Sequence, residues 1–231
     1  MYHGAKILGV IPARGGSKGV LRKNIRPLAG EPLIGHSLRS AGQVAEIDLL
    51  VVSTDDAEIG EAAQKYGVRV INRPVELAAD NSSTEVALLH ALEVLEVEGQ
   101  QFDVILVLEP TSPLRSPHTI LNAIAACVDG SAPSVLAVRE TRENIGFVRD
   151  GLFRPVVPGA PRRRQDRAPF YVESSTIYAC RVDYLRRTGT LAAENWAALV
   201  VPEEEVPDIN TEVDFLWLEF LMEKRRQKEN D

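Results

Sequence analysis

The chain has 231 residues, 45% hydrophobic and 26% charged, with a formal net charge of −7. It is long enough to bury a sizeable core, and its acidic balance argues against a broad nucleic-acid-binding surface while leaving room for one small basic pocket. No apolar run is long enough to span a membrane, and the two cysteines, Cys127 and Cys180, stand far apart without metal-ligand spacing, so buried thiols and a cytoplasmic setting are expected.

Ile7 to Ile11 reads as a buried strand, cut short by Pro12, Arg14 and two glycines, and not as a signal peptide. Helical spacing over 33–44 leads to a second strand at Leu49 to Val52, and a helix over 56–66 to a third at Val68 to Ile71. The pattern continues with a helix over 82–97, a strand at Val104 to Leu108, a helix over 117–128 and a strand at Val135 to Val138. Ser82 and Glu85 have the spacing of a capping box. Such alternation predicts an α/β fold with a mostly parallel sheet and helices on both faces.

The rhythm breaks after about residue 139. Asp150-Gly151 is a turn signal between Phe147-Val148 and Leu152-Phe153, which predicts a hairpin. Residues 155–169 are rich in Pro and Arg, and Phe170 to Cys180 reads as a long strand. Residues 140–180 therefore look like an insertion, suited to subunit contact, within a single domain covering 1–231. A strand at Ala197 to Val201 and a helix from about Thr211 complete the chain. The basic run Lys224, Arg225, Arg226 and Lys228 reads as a solvated helix end favoured by the helix dipole.

The segment Ile11 to Gly19 (Ile-Pro-Ala-Arg-Gly-Gly-Ser-Lys-Gly) follows the first strand, where open α/β sheets bind ligands. Its glycines let backbone N–H groups approach phosphate oxygens, and Arg14, Lys18, Arg22 and Lys23 bring positive charge to the same place. A triphosphate needs that charge where the leaving pyrophosphate becomes more negative. A Gly-rich turn after a strand can also serve connectivity alone. The patterns of P-loop ATPases and of dinucleotide-binding dehydrogenases are both absent.

Taken with Lys23-Asn24, this segment resembles the signature of the acylneuraminate cytidylyltransferase family. The resemblance continues in order through Gly30 to Gly35, Val52 to Asp56, Arg73-Pro74, Leu77-Ala78 with Asp80, Pro110 to Arg115, Arg164 to Asp166 and Asp208 to Glu212. It implies a three-layer αβα nucleotidyltransferase of Rossmann-like form with a small hairpin insertion for dimerisation. It also implies transfer of CMP from CTP to the anomeric hydroxyl of a sialic-acid-like 2-keto-3-deoxy sugar acid, assisted by Mg²⁺, in a homodimer or dimer of dimers. By the same resemblance Arg14, Gly15, Ser17 and Lys23 hold the phosphates, with Arg14 and Lys23 catalytic. Asn24 and Arg73 meet the cytidine, and Asp80 to Thr84, including Ser82 and Thr84, line the base and ribose. Capping of the helix is the plainer role for those last residues, and the two are compatible.

On the acceptor side the chain departs from its family. Glu109 stands where relatives carry Gln, Ser174 and Ser175 where an Asn-Gly pair is usual, and Asn210 in place of the second Asp of an Asp-Ile-Asp metal motif that begins here at Asp208. Leu21 replaces a common Pro without removing a ligand group. An ionised Glu only accepts hydrogen bonds, so Glu109 beside an acidic sugar needs a compensating ammonium, hydroxyls or a metal, and it is a candidate for the lost metal ligand. Asn210 is a weaker Mg²⁺ ligand than Asp, and capping of the last helix is its alternative role. Within the Arg162-Arg163-Arg164 and Arg167 cluster, Arg164, with Gln165, is the expected contact to the acceptor carboxylate across a dimer interface, against the plainer reading of a solvated face. Two rival functions remain at this point. One is the same chemistry on a 3-deoxy-octulosonate, another sugar acid or a phosphonate. The other is a catalytically weak nucleotide-binding relative, motivated by Asn210.

Overall fold

The computed structural model describes residues 1–17, 19–79 and 81–229. Lys18 and Asp80 therefore lie outside the described residues, as do the side chains of Arg225, Arg226 and Lys228 in the basic run. The first half runs through β1 (Ile7–Pro12), a short ladder of β2 (Pro27–Leu28) and β3 (Glu31–Pro32), α1 (Leu33–Gly42), β4 (Leu49–Thr54), α2 (Ala57–Gln64), β5 (Arg69–Asn72), α3 (Thr84–Val97) and β6 (Val104–Val107). The second half adds α4 (Pro117–Asp129), β7 (Ser134–Thr141), β8 (Gly146–Arg149), β9 (Leu152–Pro155), β10 (Phe170–Arg181), α5 (Val182–Thr188), β11 (Ala197–Val200) and α6 (Glu212–Glu229).

The central sheet has seven strands in the order β11-β7-β10-β6-β1-β4-β5. All run in one direction except β10, which is antiparallel to both of its neighbours. Its inner strands are short apolar runs because both faces are covered, which leaves no solvated side for polar residues. Alternating side chains divide the core. Ile7, Ile11, Val52, Leu106 and Ala179 pack with α1, α2 and α4. Leu8, Val10, Val51, Ile105, Val107 and Cys180 pack on the other face with α3 and α5. A third cluster, with Val20, Leu28, Leu33, Ile209, Phe215 and Leu218, seats α6 beside the loop that follows β1. The expected three-layer α/β architecture with a mostly parallel sheet is present, and both cysteines are free and buried.

Two expectations need amendment. Ser82 and Glu85 do not form a capping box. The residue before α3 is Ser83, the Ser82 hydroxyl donates to the Glu76 carbonyl at 3.3 Å, and Glu85 accepts from the Leu191 amide at 3.3 Å. The short helix α5, absent from the sequence reading, is closed by Gly189 at φ 69°. The expected hairpin does form: Asp150 (φ 53°) and Gly151 (φ 72°) have the left-handed pair of values that a two-residue turn between twisted strands requires.

Candidate active site

The sheet changes its direction of growth at β1. From there the chain builds outward to β4 and β5, then returns to place β6 on the opposite side. The loops leaving β1 and β6 diverge at this point, and the resulting crevice beyond the strand ends is where open α/β sheets bind ligands. The loop after β1 carries Arg14 to Lys23; Asp55 follows β4, Arg73 follows β5 and Glu109 follows β6. Asp208 arrives from beyond β11, on a segment whose Ile209 amide donates to the Thr111 carbonyl at 2.9 Å.

The loop packs closely against its neighbours. A Cβ on Gly15 would fall 2.6 Å from Asp56 Oδ2, and one on Gly19 would fall 2.1 Å from the carbonyl oxygen of Asn210. The Gly15 amide donates to Asp55 Oδ1 at 3.1 Å, and Asn24 donates its amide to the Arg14 carbonyl at 3.0 Å. Ser17 turns back on Gly15 through its own amide at 3.1 Å. Lys23 bridges to the far wall, with Nζ donating to the Ile209 carbonyl at 2.7 Å. Its pKa is lowered by burial, against the opposing pull of Asp208 and Glu109.

Two buried guanidiniums complete the positive field. Arg73 is 8% exposed, lies 4.0 Å from Asp55, and has an Nε without a partner. Arg115 is 2% exposed and sits beneath the Glu109 backbone, donating to Ser37 Oγ at 2.9 Å and to the carbonyls of Thr176 and Glu109. Burial lowers its pKa to about 10, opposed by Glu109 and Glu205. Hydrogen bonds made by such a charged group contribute roughly 1.5–3 kcal/mol each. Arg115 stands in a motif that the sequence comparison picked out without assigning it a role; an Arg among prolines and leucines was the available signal.

Glu109 is half-buried, and its carboxylate takes no hydrogen bond or ion pair from any described residue. Burial and the neighbouring Asp208 raise its pKa to about 7, with Arg115, Lys23 and Arg73 pulling the other way. Asp208 accepts from Ser112 Oγ at 3.4 Å and from Asn210 Nδ2 at 2.8 Å. Asn210 is therefore not the cap of α6. That role falls to Thr211, whose hydroxyl accepts the Asp214 amide at 3.3 Å while the Asp214 carboxylate receives the Thr211 amide at 2.7 Å. Asp208, Glu109 and the Asn210 amide oxygen are hard oxygen donors, and one or two carboxylates completed by substrate phosphates are what Mg²⁺ prefers. The donor set therefore fits the ion that the family resemblance implies.

The residues expected to meet the acceptor fall in two places. Five steps of β10, from Glu173 to Tyr178, face only two steps of β7, so Ser174 to Ile177 form a bulge beside the cleft. It turns Ser174 inward at 6% exposure, where its hydroxyl pairs with that of Thr176 at 2.7 Å and is withdrawn from the cleft. Ser175 is half-buried near Tyr178, whose hydroxyl donates to Glu173 Oε1 at 2.8 Å. Arg164 and Gln165 are not brought to Lys23 within one chain. They line a depression of about 760 Å³ with Arg139, Arg142 and Glu203, and Arg164 pairs with Glu143 at 3.5 Å. Arg167 is structural, since its guanidinium donates to the carbonyls of Pro161, Arg162 and Arg142. Ser82 and Thr84 sit half-buried at the start of α3. A cavity of about 820 Å³ lies at the opposite end of the sheet around Lys6, Phe102 and Arg181.

The chain is similar to known proteins over most of its length. A family described as Cytidylyltransferase matches residues 8–155. The chain is 33% identical to the CMP-N,N'-diacetyllegionaminic acid synthase of Legionella pneumophila, covering 96% of this chain and 98% of that one. It is 30% identical to the post-translational flagellin modification protein B of Campylobacter coli, with 98% and 99% covered. A solved CMP:2-keto-3-deoxy-manno-octonic acid synthetase in complex with CTP shares the fold, with a TM-score of 0.73 and 21% identity over 96% of this chain and all of that one. The match to the family over most of the chain and the full-length relatives at 30% identity or more show that the chain belongs to the cytidylyltransferase family.

Proposed function

We propose that the enzyme transfers CMP from CTP to the anomeric hydroxyl of a sialic-acid-like nonulosonic acid and releases pyrophosphate. The observation that carries this reading is the convergence of Arg14, Lys23 and Arg73 on one crevice in a chain whose full-length relatives include a CMP-nonulosonate synthase. The sugar oxygen forms a bond to the α-phosphorus, the bond from that phosphorus to the bridging oxygen breaks, and the hydroxyl proton passes to water. Lys23 and Arg14 stabilise charge that grows on the phosphates during this exchange. Gly15 and Ser17 face the phosphates, while Asn24, Arg73, Ser82 and Thr84 face the nucleoside. Magnesium, held at Asp208 with Asn210 beside it, would neutralise charge on the triphosphate.

The acceptor is assigned to the side of Glu109 and Ser175, and its carboxylate to Arg164 and Gln165 of a second copy. Residues 146–155 form a two-stranded arm with Phe147, Val148, Leu152 and Phe153 all more than half exposed. An isolated hairpin is marginal in water and an exposed apolar patch marks a contact surface, so the arm is assigned to a homodimer or dimer of dimers. A pyrophosphate-release screen crossing the nucleoside triphosphates with sugar acids tests the function. Release with CTP and a nonulosonic acid, with product mass equal to the CMP adduct, is expected. Turnover that does not depend on CTP, or none with any acceptor, would overturn it.

A further inference from the structure

Glu109 stands apart from the other groups of the crevice floor. Lys23, Arg115 and Asp208, which surround it, are each held by hydrogen bonds. Lys23 is bonded to the Ile209 carbonyl, Arg115 to three neighbouring groups, and Asp208 to Ser112 and Asn210. Glu109 alone among these has a carboxylate with no partner among the described residues. It is fixed close to Asp208 by two links. The Ile209 amide binds the Thr111 carbonyl at 2.9 Å, and Ser112 donates its amide to the Glu109 carbonyl at 3.3 Å and its hydroxyl to Asp208 at 3.4 Å. Two carboxylates thus share one crevice.

Asn210 adds a constraint through hydrogen-bond polarity. Its Nδ2 donates to Asp208 Oδ2 at 2.8 Å, a bond that an ionised Asp at 210 could not make. The 208–210 segment therefore carries one negative charge held by a neutral donor, and the second hard anionic oxygen in reach is on the other wall. A cation between the walls would remove the cost of an unpaired, half-buried carboxylate.

We propose that the divalent cation accompanying the triphosphate is shared by Asp208 and Glu109, with Asn210 serving as the donor that orients Asp208. This rests on the cytidylyltransferase reading for the presence of a triphosphate, but it assigns a ligand that a motif at 208–210 alone does not contain. Both ligands sit on separate loops, so the ion would tie the end of β6 to the segment before α6.

The test is Mn²⁺ binding followed by the free-ion EPR signal at saturating CTP without acceptor, so that no turnover is needed. Glu109→Gln keeps the shape and removes the charge; it should weaken Mn²⁺ at least about tenfold, within the range that disturbing a metal site produces. Glu109→Asp, with the charge retained but withdrawn, should fall between it and the parent. The double variant Glu109→Gln with Asn210→Asp should recover much of the loss by returning the second carboxylate to the 208–210 segment. CTP affinity without metal, read by calorimetry, should change little in all three. Unchanged Mn²⁺ affinity in Glu109→Gln would overturn the proposal, as would a change confined to the acceptor KM, which would place Glu109 against the sugar. Failure of the parent to make any CMP adduct while Mn²⁺ binding behaves as described would defeat the proposed reaction and leave the ligand assignment standing.

Discussion

The loop after β1 and the arm after β7 are both long excursions from strand ends, yet they are built in opposite ways. The loop is anchored by its neighbours: Gly15 abuts Asp56, Gly19 abuts the Asn210 carbonyl, Asn24 binds within the loop and Lys23 reaches the opposite wall. The arm touches the body mainly at its base, where Arg142 and Arg167 exchange hydrogen bonds with each other's carbonyls. Its strands present almost nothing but exposed residues. A chemical step needs groups fixed before substrate arrives, whereas a surface awaiting another copy is completed only by that copy. In the proposed dimer the loop is a finished part and the arm is half of one.

This contrast predicts where substitutions act. Lys23→Ala should reduce turnover by roughly 10²–10³-fold, the scale for losing one charge-stabilising donor in a preorganised site, with the thermal midpoint preserved. A parent-like kcat with only a raised KM for CTP would remove Lys23 from the chemistry. Gly19→Ala introduces a Cβ that would lie 2.1 Å from a backbone oxygen, so the loop and the 208–210 segment must separate. Misplacement of about 1 Å can cost roughly 10²-fold, and steady-state kinetics should show such a loss in kcat/KM for CTP.

The arm should respond differently. Phe147→Ser combined with Phe153→Ser should yield a monomer by light scattering, and acceptor KM should rise about tenfold while CTP affinity holds, in line with loss of one interface anchor. Arg164→Ala should give the same acceptor-selective loss without dissociation. If either variant weakened CTP and acceptor equally, the division between loop and arm would be wrong.

The smallest expected effect lies under the loop. His36 is 5% exposed on α1, bonded to the Leu28 carbonyl at 3.0 Å, and burial lowers its pKa against the opposing pull of that carbonyl and Glu31. The unfolded chain therefore takes up a proton first as pH falls. Stability should be intact above the ordinary value of 6.5 and decline below it until the folded imidazole also protonates. Calorimetry across that range should show this fall, and His36→Gln should flatten it.

Much of the frame could be read from sequence because it depends on local periodicity. The strands of the first half, the Asp150-Gly151 hairpin and the glycine loop each announce themselves within a dozen residues. What remained hidden depends on distant partners. Asp55 matters because it meets Gly15 and Arg73, and Arg115 because it crosses to Thr176 and Ser37. Ser82 and Glu85 misled because spacing alone cannot tell which residue the helix starts after, and Glu85 turned instead toward Leu191. Asn210 has neither simply lost a ligand nor become a cap; its amide proton faces Asp208, a polarity that only the fold reveals.

The lone antiparallel strand has a consequence for how the chain assembles. β6 and β7 follow one another in sequence but never pair, because β10 lies between them and hydrogen-bonds to both. A nascent chain can therefore join β1, β4, β5 and β6 as soon as they emerge, while the open edge of β6 must wait until residue 181 has been made. Until then that edge is a pairing hazard of the kind unfinished sheets present. The arm thus lies on the route to closure, and a stall in translation after β7 would leave the crevice without its 208–210 wall on an unsealed sheet.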